Sequence, residues 1–153
     1  MKTYALLALG LLAGTVLAQT AQPPQEEKKA AAPGSLKVKL NYSGAGVVDE
    51  KHQIRLFLFD SPDFVQGNVM PFASGSASAK DGVVTFPDLD KSPLYVAAIY
   101  DPSGEYDGAS GPPPSGASMG MYSKTPGQPE PVKIEPGGTV QVDLAFDDSA
   151  KMP

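Results

Sequence analysis

The chain contains no cysteine, no tryptophan and a single histidine among its 153 residues. Without cysteine there is no disulfide framework, no thiol nucleophile and no thiolate ligand for zinc. One histidine cannot build a histidine-cluster metal site. His52 stands in the polar run Asp49-Glu50-Lys51-His52-Gln53, which predicts an exposed residue at the start of a strand rather than a catalytic base. The missing tryptophan removes the broadest stacking surface for a sugar. Basic residues are also scarce: 12 Lys and Arg stand against 17 Asp and Glu, for a net charge of −5. Such a balance fits neither nucleic acid nor an anionic membrane surface. Two pairs of neighbouring carboxylates, Asp88/Asp90 and Asp147/Asp148, could serve glycoside hydrolysis in principle. Both lie in turn or tail sequence, with no apolar surroundings to raise a pKa. The chain is therefore expected not to be an enzyme.

Long apolar runs are missing too, with one exception. Lys2 precedes an apolar stretch over residues 4–16, and Val16-Leu17-Ala18 before Gln19 has the form of a cleavage site. This is the layout of a secretory signal peptide over residues 1–18, too short for a spanning helix. Cleavage there leaves 135 of the 153 residues and removes Lys2, so the net charge moves from −5 to −6. A secreted or periplasmic location is predicted, with no membrane insertion after signal cleavage. Residues 19–34 combine Pro23-Pro24, Glu26-Glu27-Lys28-Lys29 and Ala30-Ala31-Ala32-Pro33 and read as a disordered linker.

What remains is rich in short strand signals. Leu36, Val38 and Leu40 alternate with Lys37, Lys39 and Asn41, as in a half-buried strand. Ile54 to Phe59 is apolar on both faces after Arg55, which predicts a central strand covered from both sides near its end. Residues 70–79 form a weaker candidate, joined by a Lys80-Asp81-Gly82 hairpin signal to Val83-Val84-Thr85-Phe86. Leu89 is the lone apolar residue in a connecting loop and is expected to plug the edge of the core. Residues 94–100 are strongly apolar, residues 132–134 a short strand, and Val140, Val142, Leu144 and Phe146 give the cleanest alternation. About seven strands and no convincing helix predict an all-β, antiparallel seven-stranded β-sandwich. The expected domain spans residues 35–147, followed by a disordered tail over 148–153.

The order of cues from Gly82 onward resembles the prealbumin-like (transthyretin-like) sandwiches, which include carboxypeptidase regulatory-like domains and secreted bacterial domains. The cues are Gly82-Val83-Val84-Thr85-Phe86, then Leu89, then Tyr95-Val96-Ala97-Ala98-Ile99-Tyr100-Asp101, and finally Pro136-Gly137-Gly138-Thr139-Val140-Gln141-Val142-Asp143-Leu144. The resemblance covers most of residues 36–146. The resemblance implies an Ig-like two-sheet topology and a non-catalytic module, and it transfers no active site.

The most informative chemistry follows the 94–100 strand. Asp101, Ser103, Glu105 and Asp107 place oxygens at every second position, as a loop wrapping Ca²⁺ would. An EF-hand is excluded, because Tyr106 occupies the position needing Gly and Pro112 the position needing a bidentate Glu. A looser Ca²⁺ site at these four residues competes with an acidic turn that binds nothing; the expectation is no cofactor, with Ca²⁺ the one candidate. Tyr100, Tyr106 and Tyr122 flank or lie in the long loop and are the candidate ligand-binding residues, each with an apolar face and a polar tip. Gly111-Pro112-Pro113-Pro114-Ser115-Gly116 either stiffens that loop or docks on a partner as a polyproline segment. The expected function is a secreted binding or structural module whose contact surface is the loop 101–122 and whose partner is a protein or a saccharide. The rival readings are a small secreted hydrolase of sugars or peptides and a Ca²⁺-stabilised adhesion-type module.

Overall fold

The computed structural model describes residues 31–153; the expected signal peptide, residues 1–18, and most of the expected linker, residues 19–34, lie outside them. Seven strands form two sheets: β1 (Gly34–Tyr42), β2 (Ile54–Phe59), β3 (Ala73–Ala77), β4 (Val83–Leu89), β5 (Tyr95–Tyr100), β6 (Ser118–Met121) and β7 (Thr139–Phe146). One sheet has the order β4-β1-β7 and the other β3-β2-β5-β6. A single 3-10 turn over Pro62–Gln66 is the only helical element among the described residues, and no helix there is long and apolar enough to cross a membrane. The expected all-β sandwich is the observed architecture.

The alternating residues behave as their spacing requires. Leu36, Val38 and Leu40 of β1 are fully buried and meet Leu56, Leu58, Val96, Leu144 and Phe146 between the sheets. Each fully buried leucine contributes about 1.5–3 kcal/mol relative to exposure. Leu89 ends β4 and is buried in the same cluster, the plug its isolation predicts.

β2 and β5 are buried on both faces. Phe57, Phe59, Ala97 and Ile99 point away from the main core and form a second apolar layer on the outside of the four-stranded sheet. Three pieces of chain cover it: Phe64 and Val69 from the turn after β2, Tyr106 and Ala117 from the long loop, and Met152 from the C-terminus. The Phe59 and Phe64 rings stack at 4.4 Å. The long loop thus closes a core rather than projecting from one.

Four expectations change. The sandwich is not wholly antiparallel, because β1 and β7 pair in parallel from Ser35/Thr139 to Tyr42/Phe146. No tight hairpin joins them, so their direction is set by the path through the other sheet. The turn at Lys80-Asp81-Gly82 does not close a hairpin: β3 pairs with β2 and β4 with β1, so it carries the chain from one sheet to the other. Residues 132–134 make only one bridge, Leu94 to Val132, and bury Val132 and Ile134 as plugs. The seventh strand is β6 instead.

The C-terminal residues 148–153 are docked, not a disordered tail. The amide of Met119 donates to the Ala150 carbonyl at 2.9 Å, Met152 to Ala117 at 2.8 Å, and Gly116 to Met152 at 2.9 Å. The tail therefore pairs antiparallel to the start of β6, capping the edge of the sheet.

Candidate functional site

Asp101 directly follows β5, where the chain must turn over the apolar outer face. It is 7% exposed, and its carboxylate is filled by its own loop. One oxygen accepts from the Ser103 amide at 2.9 Å. The other accepts from Ser103 Oγ at 2.6 Å and from the amides of Tyr106 at 3.0 Å and Glu105 at 3.2 Å. Burial pushes the Asp101 carboxyl up, but these hydrogen bonds together outweigh it and leave it below its ordinary value. Gly104, at φ +70°, lets the turn press against the Lys51 carbonyl and the His52 ring, where a Cβ would clash.

Asp107 closes a second turn in the same way. It accepts from the amides of Ala109 and Ser110, each at 2.8 Å, and from the Ser110 hydroxyl. Those bonds, the hydroxyl's foremost, lower its carboxyl to about 2. Ser103 is occupied by Asp101, and Glu105 is exposed. The four oxygen-bearing side chains therefore do not converge. Among the described residues, no three His, Cys, Asp or Glu side chains gather as metal ligands would.

The three tyrosines do not form one surface. Tyr100 is 2% exposed, lies between the sheets beside Tyr42 at a ring separation of 4.9 Å, and donates to the Val47 carbonyl at 2.7 Å. Tyr106 lies on the opposite side of the same sheet, 6.3 Å from the Phe57 ring. Tyr122 follows β6 and packs at the margin of the main core, its amide bonded to the Val96 carbonyl. Burial raises the phenol pKa of both Tyr100 and Tyr106. His52 Nδ1 lies 2.9 Å from Asp49, whose same oxygen also accepts from the Lys51 and His52 amides. It belongs to a turn cap.

Sequence reasoning names Asp148 only as half of a carboxylate pair and overlooks Ser118, to which the fold joins it. Gly116-Ala117-Ser118-Met119-Gly120 has the Gly-x-Ser-x-Gly spacing of a nucleophile elbow. Ser118 Oγ donates to Asp148 at 2.6 Å and accepts from Lys151 Nζ at 2.7 Å. The grouping is that of a serine with a lysine and a carboxylate, but Ser118 is 0% exposed and opens a strand rather than a strand-to-helix turn. Asp148 also accepts from Tyr42 Oη at 2.6 Å and from the Ala45 amide at 2.8 Å. The bonds from Ser118, Tyr42 and Ala45 hold its carboxyl well below the usual range. Burial, reinforced by Asp148, pushes the Tyr42 phenol up to about 12. Asp147 caps the Ser149 amide at 2.8 Å, so the Asp147/Asp148 pair divides into two structural roles. Asp88 and Asp90 are both exposed.

Two of the surface's depressions adjoin β6 and the loop after β5. A groove of about 510 Å³ runs between β6 and β7, lined by Met119, Met121, Lys124, Ala145 and Asp147. A smaller one of about 240 Å³ lies between β3 and the loop after β5, at Arg55 and Phe57. Together the fold and its surface define a two-sheet all-β sandwich with an apolar outer face roofed by the loop between β5 and β6. No protein-family model, curated protein or solved structure matches the chain.

Proposed function

We propose that the chain is an exported, non-catalytic sandwich module of the prealbumin-like type, with a binding or structural role and its contact surface on the loop 101–122. One observation carries this reading. Asp101, Asp107 and His52 end on their own turns, and Ser118 is sealed inside, so these candidate acids, bases and nucleophile are committed to structural hydrogen bonds. The same bonds make the loop a stiff platform, with exposed residues 109–112 and 114–116 at its crest. Preorganised loops on a rigid scaffold favour recognition, because little conformational freedom is lost on binding. The three-plus-four arrangement of strands supports the family likeness. The reading is tested with a fluorophosphonate probe and a panel of chromogenic glycosides and peptides. No labelling and no turnover are expected. Covalent labelling of Ser118, or turnover abolished by Ser118→Ala, overturns it.

A further inference from the structure

Arg55 is the sole arginine of the chain, and it stands where an aliphatic residue would be expected. It is the second residue of β2, on the outer face, in register with Ser76 of β3 and Ile99 of β5. Its Nε donates to the Tyr106 carbonyl at 3.4 Å. Among the described residues, no carboxylate lies within ion-pair distance of it. A guanidinium has five N–H donors in a fixed fork, so an aimed arginine without an acid partner presents most of them unused.

Arg55 lines the 240 Å³ depression. Ser74 and Ser76, two apart on β3, contribute exposed hydroxyl-bearing side chains on one wall. Gly108, at φ +80°, brings the loop down on the other; a Cβ there would sit 3.3 Å from the Phe57 ring and 3.6 Å from Arg55 Cδ. The loop thus holds the arginine stem in place. Asp107 stands on the same wall. One of its oxygens takes two amides and the other only the Ser110 hydroxyl, which leaves a lone pair for a further donor.

We propose that this depression binds one hexuronate unit of an acidic polysaccharide, with Arg55 gripping the sugar carboxylate. A carboxylate matches the planar fork bidentately. The ring hydroxyls match Ser74, Ser76 and the free lone pair of Asp107. Asp107 also acts as a filter: beside its negative charge, a doubly charged phosphate is disfavoured over a single carboxylate. A bare carboxylate would leave the two serines and Asp107 unmatched. The volume suits one ring, so each unit binds weakly and a polymer gains by multiple attachment. The proposal rests on the binding-module reading and places its ligand at the β3 side of the loop.

The test is an ¹⁵N NMR titration of the full chain with sodium D-glucuronate, D-glucose, sodium acetate, inorganic phosphate and a tetraglutamate peptide, in wild type, Arg55→Gln and the double variant Ser74→Ala/Ser76→Ala. Glucuronate should shift the amides of Arg55, Ser76 and Gly108 and bind at least about tenfold more tightly than glucose, acetate, phosphate or tetraglutamate. Arg55→Gln should cost about tenfold or more, and the serine pair a smaller loss confined to glucuronate. Acetate, phosphate or tetraglutamate binding as tightly as glucuronate, no shift with glucuronate, or unchanged affinity in Arg55→Gln overturns the proposal. Should Arg55→Gln fail to fold, unchanged glucuronate affinity in the serine pair overturns it. Hydrolysis of a glucuronide would instead overturn the non-catalytic reading, so the two failures are distinguishable.

Discussion

The Tyr42 hydroxyl donates a 2.6 Å hydrogen bond to the Asp148 carboxylate across 106 positions of sequence. Tyr42 ends the first strand, and Asp148 stands just past the last. The same carboxylate reaches Ser118 at the start of β6 and the Ala45 amide in the loop after β1. It ties both sheets and one connecting loop to the segment that carries the C-terminus onto the outer face.

Replacing Asp148 by Ala should therefore destabilise the domain by about 2 kcal/mol, the scale of losing charge-assisted hydrogen bonds that leave a buried hydroxyl unpaired. Asp148 retains 35% side-chain exposure, so its 3.4 Å ion pair with Lys151 is screened by water and adds little. Urea unfolding should show a lower midpoint with an unchanged slope. A change below about 0.5 kcal/mol, the size of an ordinary surface substitution, would show that the junction is not structural.

Acid should act through the depressed carboxylates. Asp101, Asp107 and Asp148 all have folded-state values below their ordinary ones, with Asp107 at about 2. Their contribution is fully present above the unfolded value near pH 3.9 and is lost as pH falls through the folded values. The urea midpoint should hold between pH 7 and 5 and fall below about pH 4. Tyr42, raised to about 12, has the opposite sign: its contribution is present below pH ~10 and lost as pH climbs toward its folded value. Denaturation midpoints measured from pH 2 to 12 check both limbs.

Truncation after Ser149 should loosen the roof without unfolding the sandwich. The amides of Met119 and Gly116 lose their acceptors on Ala150 and Met152, and the outer layer loses the Met152 side chain. Hydrogen exchange should speed up at Gly116 and Met119 while β5 amides stay protected. Exchange that is unchanged at those two amides would mean that the tail contributes no protection.

Chelation should leave thermal stability unchanged. The lone pairs that Ca²⁺ would need on Asp101 and Asp107 are mostly taken by loop donors, and six to eight oxygens are required. Calorimetry with EDTA and with millimolar Ca²⁺ should give the same midpoint. A rise in Ca²⁺ would revive the adhesion-type reading, since a bound ion stabilises in proportion to its occupancy.

Much of the scaffold is legible locally. The two-residue alternation at Leu36, Val38 and Leu40 and at Val142, Leu144 and Phe146 marks their buried faces directly. The unbroken apolar run from Leu56 to Phe59 announces burial on both sides, and the structure supplies the second cover. The site was less legible. Alternate oxygens after β5 suggest a metal loop as well as two turns, because Asp and Ser serve both purposes. Which use prevails depends on where the backbone amides point, and spacing does not carry that information.

The sequence by itself determined the all-β class, the strand faces and the covered central pair, because these follow from the period of apolar residues along a few neighbouring positions. Only the tertiary structure decided that β1 runs parallel to β7, that β3 and β4 part into different sheets, that the tail docks, and that Ser118 is sealed beneath Asp148. Each of those depends on a meeting of residues far apart in the chain. Loop paths and hydrogen-bond geometry set such meetings, and they leave no local pattern to read.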